Sequence, residues 1–193
     1  MRTRFTERFG VELPIVQGGL AYLAHSELCA AVSRAGGLGQ LTAATMGSAE
    51  QLREEIRKVR ALTDRPFAVN FAIGHRDLSD FIRVTIEERV EIISVTGGNP
   101  EPLFAAFRDH PVLKMVLVAG VRQAQKAEAL GADAVIAVGF EGGGHIGRDD
   151  IGTMVLVPRV VESVRIPVLA SGGIVDGRGL AAALALGADG VEM

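Results

Sequence analysis

Cysteine is nearly absent. Cys29 is the single one in 193 residues, so no disulfide can staple the chain and a reducing compartment is expected. It falls within an apolar helical pattern, where it reads as a small core residue rather than a nucleophile. No apolar run reaches the roughly 18 residues that would suggest a membrane span. The first ten residues, MRTRFTERFG, lack the apolar stretch of a secretory signal. There is no basic block, and 20 Lys and Arg against 23 Asp and Glu leave a net charge of −3. That balance argues against nucleic acid or an anionic membrane as the main partner. A soluble, cytoplasmic protein is therefore the expectation. Metal-ligand spacing is missing as well: the histidines stand at 25, 75, 110 and 145, with no HxxxH pair and no clustered carboxylates. His25, His75 and His110 read as solvated residues beside a helix start, in a loop and in a polar turn. No GxSxG elbow and no GxGxxG fingerprint after the first strand occur, which excludes the simplest hydrolase and nicotinamide-fold readings.

What is present is a repeated alternation. Short apolar runs expected as strands are Pro14–Gln17, Leu38–Leu41, Phe67–Phe71, Ile92–Val95, Lys114–Ala119, Ala134–Val138, Pro167–Ala170 and, from Asp189, the last residues of the chain. Between them lie segments of helical spacing. Ser26 is expected to cap the first through Ala35, and Ser48 the second, with Gln51 completing a capping box. Leu78–Arg89 reads as the third. Asn99 and Pro100 open the next, Val121–Leu130 follows, another is expected to start properly near Pro158, and Gly179–Leu186 is the last. A helix–glycine–strand junction recurs as SRAGGLGQL, EALGADAVIAV and LALGADGVEM. Near-continuous apolar strands alternating with helices predict a parallel sheet covered by helices. Eight strands favour a (β/α)8 barrel of the TIM type over a doubly wound sheet. The chain ends at strand eight, so the expectation is a single domain, residues 1–193, lacking an eighth crossover helix. Apolar surface left open there would invite association, and a homodimer is one arrangement that covers it.

In such a barrel the chemistry belongs at the C-terminal ends of the strands. The polar or glycine exceptions at those positions are Gln17-Gly18-Gly19, Thr42, Asn70, Thr96-Gly97-Gly98, the loop GFEGGGHIGRDDIGT from Gly139 to Thr153, and Ser171-Gly172-Gly173. The loop joins three consecutive glycines, Gly142 to Gly144, to His145, the side chain whose proton affinity lies nearest neutral pH. Glycines, amides and few charges suit a large, flat, partly apolar cofactor better than a metal. Ser171-Gly172-Gly173, after strand seven, is placed to hold a phosphate with backbone N–H groups and a helix N-terminus. Glu141, Arg148, Asp149 and Asp150 are charged loop residues of the kind that are usually solvated.

The segments QGGLAYLAHSELCAAVSRAGGLG, FAVNF, TGGNP, GADAVIAVGFEGGGHIG and PVLASGGIVDGRGLAAALALGADGV together resemble the nitronate monooxygenase (2-nitropropane dioxygenase) family, to which flavin-dependent enoyl-ACP reductases are close relatives. The resemblance runs through nearly the whole chain in order. It implies a flavin mononucleotide (FMN) barrel that oxidises an alkyl nitronate or nitroalkane with oxygen to a carbonyl compound and nitrite. The alternative it leaves is an NAD(P)H-using reductase of the enoyl-ACP or quinone type. By position, Gln17, Gly18 and Gly19 would lie against the flavin ring, Asn70 would hydrogen-bond it, and Gly143 and Gly144 would line it. Ser171, Gly172 and Gly173 would hold the phosphate, and His145 matches the family's active-site histidine. Leu20 stands where many relatives carry methionine, and Gly142 where many carry alanine. A second phosphate segment would follow strand eight, where this chain ends, so weaker FMN binding than in longer members is expected.

Overall fold

The computed structural model describes residues 1–74 and 76–193; His75 lies outside the described residues. Eight strands alternate with helices: β1 Ile15–Val16, β2 Gly39–Thr42, β3 Phe67–Ala72, β4 Ile92–Thr96, β5 Leu113–Val118, β6 Ala134–Val138, β7 Val168–Ser171 and β8 Gly190–Glu192. All neighbouring strands pair in parallel in the order β1-β8-β7-β6-β5-β4-β3-β2. The remaining gap is bridged where Val16 meets Leu38. There the Leu38 amide donates to Ile15 O at 2.9 Å, and the Gln17 amide to Leu38 O at 2.9 Å. The sheet thus closes on itself as a (β/α)8 barrel. The crossover helices are α2 Ser26–Arg34, α3 Ala49–Leu62, α4 Ser79–Glu87, α5 Glu101–Ala106, α6 Val121–Ala129, α7 Thr153–Val161 and α8 Gly177–Ala185. Among the described residues no helix is long and apolar enough to cross a membrane.

Alternate residues of a strand face opposite ways, so each strand supplies two layers. One row, including Leu41, Val69, Phe71, Ile93, Val95, Val135, Val168 and Val191, packs outward on helix residues such as Cys29, Ile56, Phe81, Leu156 and Val160. The other row faces the barrel axis. Near the strand starts it consists of Leu38, Ala68, Ile92, Met115, Ala134 and Leu169.

An additional helix, α1 Arg4–Phe9, closes that lower end. The sequence reading assigned nothing to this segment, because six residues are too few for a periodic pattern and its only apolar members are two phenylalanines. Thr3 caps it with a reciprocal Thr3–Thr6 pair, and Gly10 ends it at φ 69°. Phe5 and Phe9, one turn apart, stack with centroids 4.7 Å apart and join the axial core. Arg4 grips Asp189 through two hydrogen bonds of 2.9 and 2.7 Å, and Arg8 reaches Asp133 at 2.6 Å. These carboxylates precede β8 and β6, so α1 is fastened to the strand starts as a plug.

Three local expectations need correction. Ser26 is the first residue of α2 rather than its cap; His25 holds the cap position, and the Ser26 amide donates 2.8 Å to the Glu55 carboxylate. Ser48 does accept from the Gln51 amide at 3.1 Å, but the Gln51 side chain reaches past it to the Gly47 amide at 2.6 Å. α7 begins at Thr153, not near Pro158, and carries that proline inside. Its early start has a cause: the Glu141 carboxylate accepts from Thr153 N at 2.8 Å and from Thr153 Oγ1 at 3.0 Å. That clasp satisfies one orphan backbone donor of the first turn and places a negative charge at the helix's positive end.

Candidate active site

Followed toward the strand ends, the axial row changes character. At two-residue steps Leu38 is followed by Gln40 and then Thr42, Ala68 by Asn70, Ile92 by Ser94 and then Thr96, Leu169 by Ser171, and Gly190 by Glu192. Apart from half-buried Thr96, these polar residues are buried, and buried polar groups require partners. They find them across the barrel. Asn70 Nδ2 donates to Ser94 Oγ at 2.8 Å and to Thr96 Oγ1 at 3.0 Å. Ser94 Oγ donates in a short bond to Gln40 Oε1. Gln40 and Gln17 exchange bonds, each side-chain amide donating to the other's backbone carbonyl, at 2.6 and 2.9 Å. Ser171 Oγ donates to Glu192 Oε2 at 3.0 Å. Asn70 therefore bonds its barrel neighbours, and any bond to a ligand would be made by the rest of its amide. Among the described residues, Thr42 Oγ1 is the one buried side-chain polar atom without a hydrogen-bond partner.

Above this floor lie glycine-bearing loops, and at Gly19, Gly172 and Gly173 crowding or backbone geometry requires the glycine. A Cβ on Gly19 would stand 2.7 Å from Asn70 Oδ1, so the β1–α2 loop lies directly on that amide. Gly18 passes over Glu192, whose Cδ would be 3.8 Å from a Cβ there. Gly172 and Gly173 take φ of 100° and 72°, a pair of left-handed residues at the end of β7. A Cβ on Gly172 would meet Gly142 N and Thr153 Oγ1 at 2.9 Å, so this turn is packed against the long loop after β6. Within that loop Gly143 and Gly144 border open space, and Gly144 alone of the three glycines has positive φ, 72°.

His145 is exposed and stands by Gly97, its Cδ2 3.6 Å and its Nε2 3.9 Å from the place of a Gly97 Cβ. It lines a cleft of about 580 Å³ with Gly98, Val118, Gln123 and Arg148, between the β4–α5 turn, α6 and the loop. The expected residues thus gather at one end of the barrel in two groups, Gln17, Gly18, Gly19 and Asn70 over the axis and Ser171, Gly172 and Gly173 beside Gly142. His145 lies on the β4–β5 side.

At the α8 N-terminus Asp176 Oδ1 accepts from Arg178 N at 2.9 Å and from Gly179 N at 3.4 Å. Glu141 serves α7, and its hydrogen bonds, including those from Thr153, hold its carboxyl below the usual range. The nucleophile reading of Cys29 fails as expected, since burial, with Glu55 nearby, pushes its thiol up to about 12. Among the described residues no group of His, Cys, Asp and Glu could hold a metal.

The sequence reading missed Gln40, Ser94 and Glu192. Glu192 is the most consequential, a carboxyl 8% exposed at the end of β8. Burial pushes it up to about 7, against hydrogen bonds from Ser171 and Gln40 that favour its charged form. Its signal was available, because GVE, like VNF and IISVT, breaks an apolar run at an axis-facing position.

A parallel barrel with an apolar base and a glycine-rimmed, hydrogen-bonded mouth defines a TIM-barrel protein with its site at the strand C-termini. The chain belongs to the nitronate monooxygenase family, whose model matches residues 2–83 and 79–193. It is 41% identical over 196 residues to a (3aS,4S,5R,7aS)-5-hydroxy-7a-methyl-1-oxo-octahydro-1H-indene-4-carboxyl-CoA dehydrogenase of Mycobacterium tuberculosis, covering 100% of this chain and 54% of that one. It is 35% identical over 239 residues to a nitronate monooxygenase of Pseudomonas aeruginosa, covering 100% and 68%. Among solved structures it matches FabK from Thermotoga maritima with a TM-score of 0.94 at 44% identity, covering 100% of this chain and 61% of that one. The chain thus spans between 54% and 68% of the length of these relatives.

Proposed function

We propose that this chain is the FMN-binding barrel of an oxidoreductase, with alkyl nitronates or nitroalkanes as its electron donors and oxygen as acceptor. The observation that carries the cofactor is the mouth itself: glycine backbone at the ends of β1 and β7 over amides, hydroxyls and one buried carboxyl, with the buried Thr42 hydroxyl unpartnered beneath. A flat, hydrogen-bonding heterocycle fits such a surface better than a metal or a sugar phosphate. Gln17, Gly18, Gly19 and Asn70 would hold the ring, Gly143 and Gly144 would border it, and Ser171, Gly172 and Gly173 would take the phosphate. FMN, when bound, supplies the redox chemistry. The chain's own part is to orient the substrate, exclude water and handle a proton. His145 would accept the α-proton of a neutral nitroalkane at a ring nitrogen or, protonated, hold the anionic nitronate.

A second reading is favoured by one observation. The 41% and 44% identities to the CoA dehydrogenase and to FabK exceed the 35% to the nitronate monooxygenase. On that reading the donor is NAD(P)H and the protein is a reductase of the enoyl-ACP or quinone type. Mixing the FMN-loaded protein anaerobically with a nitronate, and separately with NAD(P)H, decides between them. Bleaching of the flavin by the nitronate supports the first reading, bleaching by NAD(P)H alone supports the second, and bleaching by neither counts against both.

A further inference from the structure

We propose that Glu192 couples occupancy of the barrel mouth to a proton: the ligand-bound barrel holds this carboxyl protonated, and the ligand loosens as the proton leaves. The inference rests on reading the mouth as a flavin site. It starts from placement. Glu192 ends the axial row of β8, is 8% exposed, and has Gly18 directly above it, with 3.8 Å from its Cδ to the position of a Gly18 Cβ.

The groups packed around it are neutral. β7 supplies Ser171, whose hydroxyl donates to Oε2 at 3.0 Å. β2 supplies Gln40, which also hydrogen-bonds the carboxyl. The β1–α2 side supplies Gln17 and the Gly18 backbone. Ser94 and Asn70, further along the same network, are spent on Gln40 and on each other. Along its own strand the next residue is Met193, whose backbone carbonyl accepts the Gly18 amide at 2.8 Å. Among the described residues no cation is paired with Glu192, and a buried carboxylate without a cation resists ionisation.

Burial already moves the carboxyl to about 7. A flat ligand laid over Gly18 and Gly19 removes the water that remains above it, and a phosphorylated ligand adds negative charge to the mouth. Both changes raise its hold on the proton. Above neutrality, binding must then transfer one proton from solvent to a Glu192 oxygen, with no electron moved. By linkage the affinity falls with pH, approaching tenfold per unit for one proton.

The test is flavin fluorescence quenching from pH 5.5 to 9 with two probes, FMN and riboflavin, the second of which has no phosphate to titrate. The parent chain should bind both with constant affinity at the acid end and with falling affinity above about 7. Glu192→Gln should bind riboflavin with pH-independent affinity. Ser171→Ala, having lost a bond that favours the carboxylate, should move the midpoint up by about one pH unit. Riboflavin affinity independent of pH in the parent, or the same fall in Glu192→Gln, overturns the coupling. If Glu192→Gln does not fold, the Ser171→Ala midpoint decides alone, and an unmoved midpoint overturns it. A parent chain that melts cooperatively yet binds neither probe refutes the flavin reading itself, and the coupling with it.

Discussion

The two ends of this barrel are built from the same strands and share almost nothing else. At the lower end the axial residues are Leu38, Ala68, Ile92, Met115, Ala134 and Leu169, sealed by Phe5 and Phe9 of the N-terminal helix. At the upper end, two residues further along, β5 and β6 stay apolar with Leu117 and Ile136, while the other strands present Gln40, Asn70, Ser94, Ser171 and Glu192, joined in hydrogen bonds. The lower end gains by excluding water, without directional demands, and its ion pairs, Arg4–Asp189 and Arg8–Asp133, sit at the rim. The upper end keeps buried polar groups whose partners must be placed with care, and it holds a carboxyl that the surroundings disfavour when charged. One end holds the barrel together, and the other is the end proposed above to receive a ligand.

The largest effect should come from breaking the lower end. Phe5→Ala removes a fully buried ring from the plug and is expected to cost about 3–5 kcal/mol of stability in denaturant unfolding. Flavin affinity of the protein that stays folded should not change. At the upper end the sign reverses. Glu192 is held near 7 against 4.5 for a free side chain, so its contribution is at its full value below 4.5. It declines as pH rises toward 7, because the unfolded chain gives up its proton first. Above 7 the folded protein carries that deficit, and Glu192→Gln should be more stable than the parent by on the order of 2–3 kcal/mol at pH 8. The two proteins should converge near pH 4.5; parallel stability curves would contradict the assignment.

His145→Asn sharpens the contrast in another way. It should leave melting and FMN affinity in place while lowering turnover of a neutral nitroalkane by about 10²-fold, and near-normal turnover would remove the base role. The smallest effect is at Glu141. Glu141→Gln weakens the clasp on Thr153 and should cost about 1 kcal/mol. Because its carboxyl is held below the usual range, the parent's advantage is present above about 4.5 and is lost as pH falls through the folded value. A difference that persists at pH 3 would argue against the clasp.

Much of this architecture could be read in the chain. Strands such as AVIAV and FAVNF announce themselves because a strand buried on both faces is apolar throughout, and the glycines after each helix mark where the next begins. Asn70, the Gly18-Gly19 turn and the Ser171-Gly172-Gly173 turn were legible for the same reason, as departures from an apolar pattern. What escaped depends on contacts between distant residues. α1 is a helix because the barrel base receives Phe5 and Phe9, and α7 starts early because Glu141, twelve residues before, accepts from Thr153. Glu192 does break the apolar run of β8, but its burial by Ser171, Gln40 and Gly18 arises only once the sheet closes.

The claim that the polar end is a flavin site is tested most directly by titrating FMN into the folded chain and into Asn70→Leu, following quenching of flavin fluorescence. Saturation at one equivalent by the parent, with affinity at least about tenfold weaker in the variant, is the predicted result, since the loss of one well-placed hydrogen bond corresponds to roughly that factor. A parent that melts cooperatively but does not quench FMN, or equal affinities in the two proteins, would contradict it.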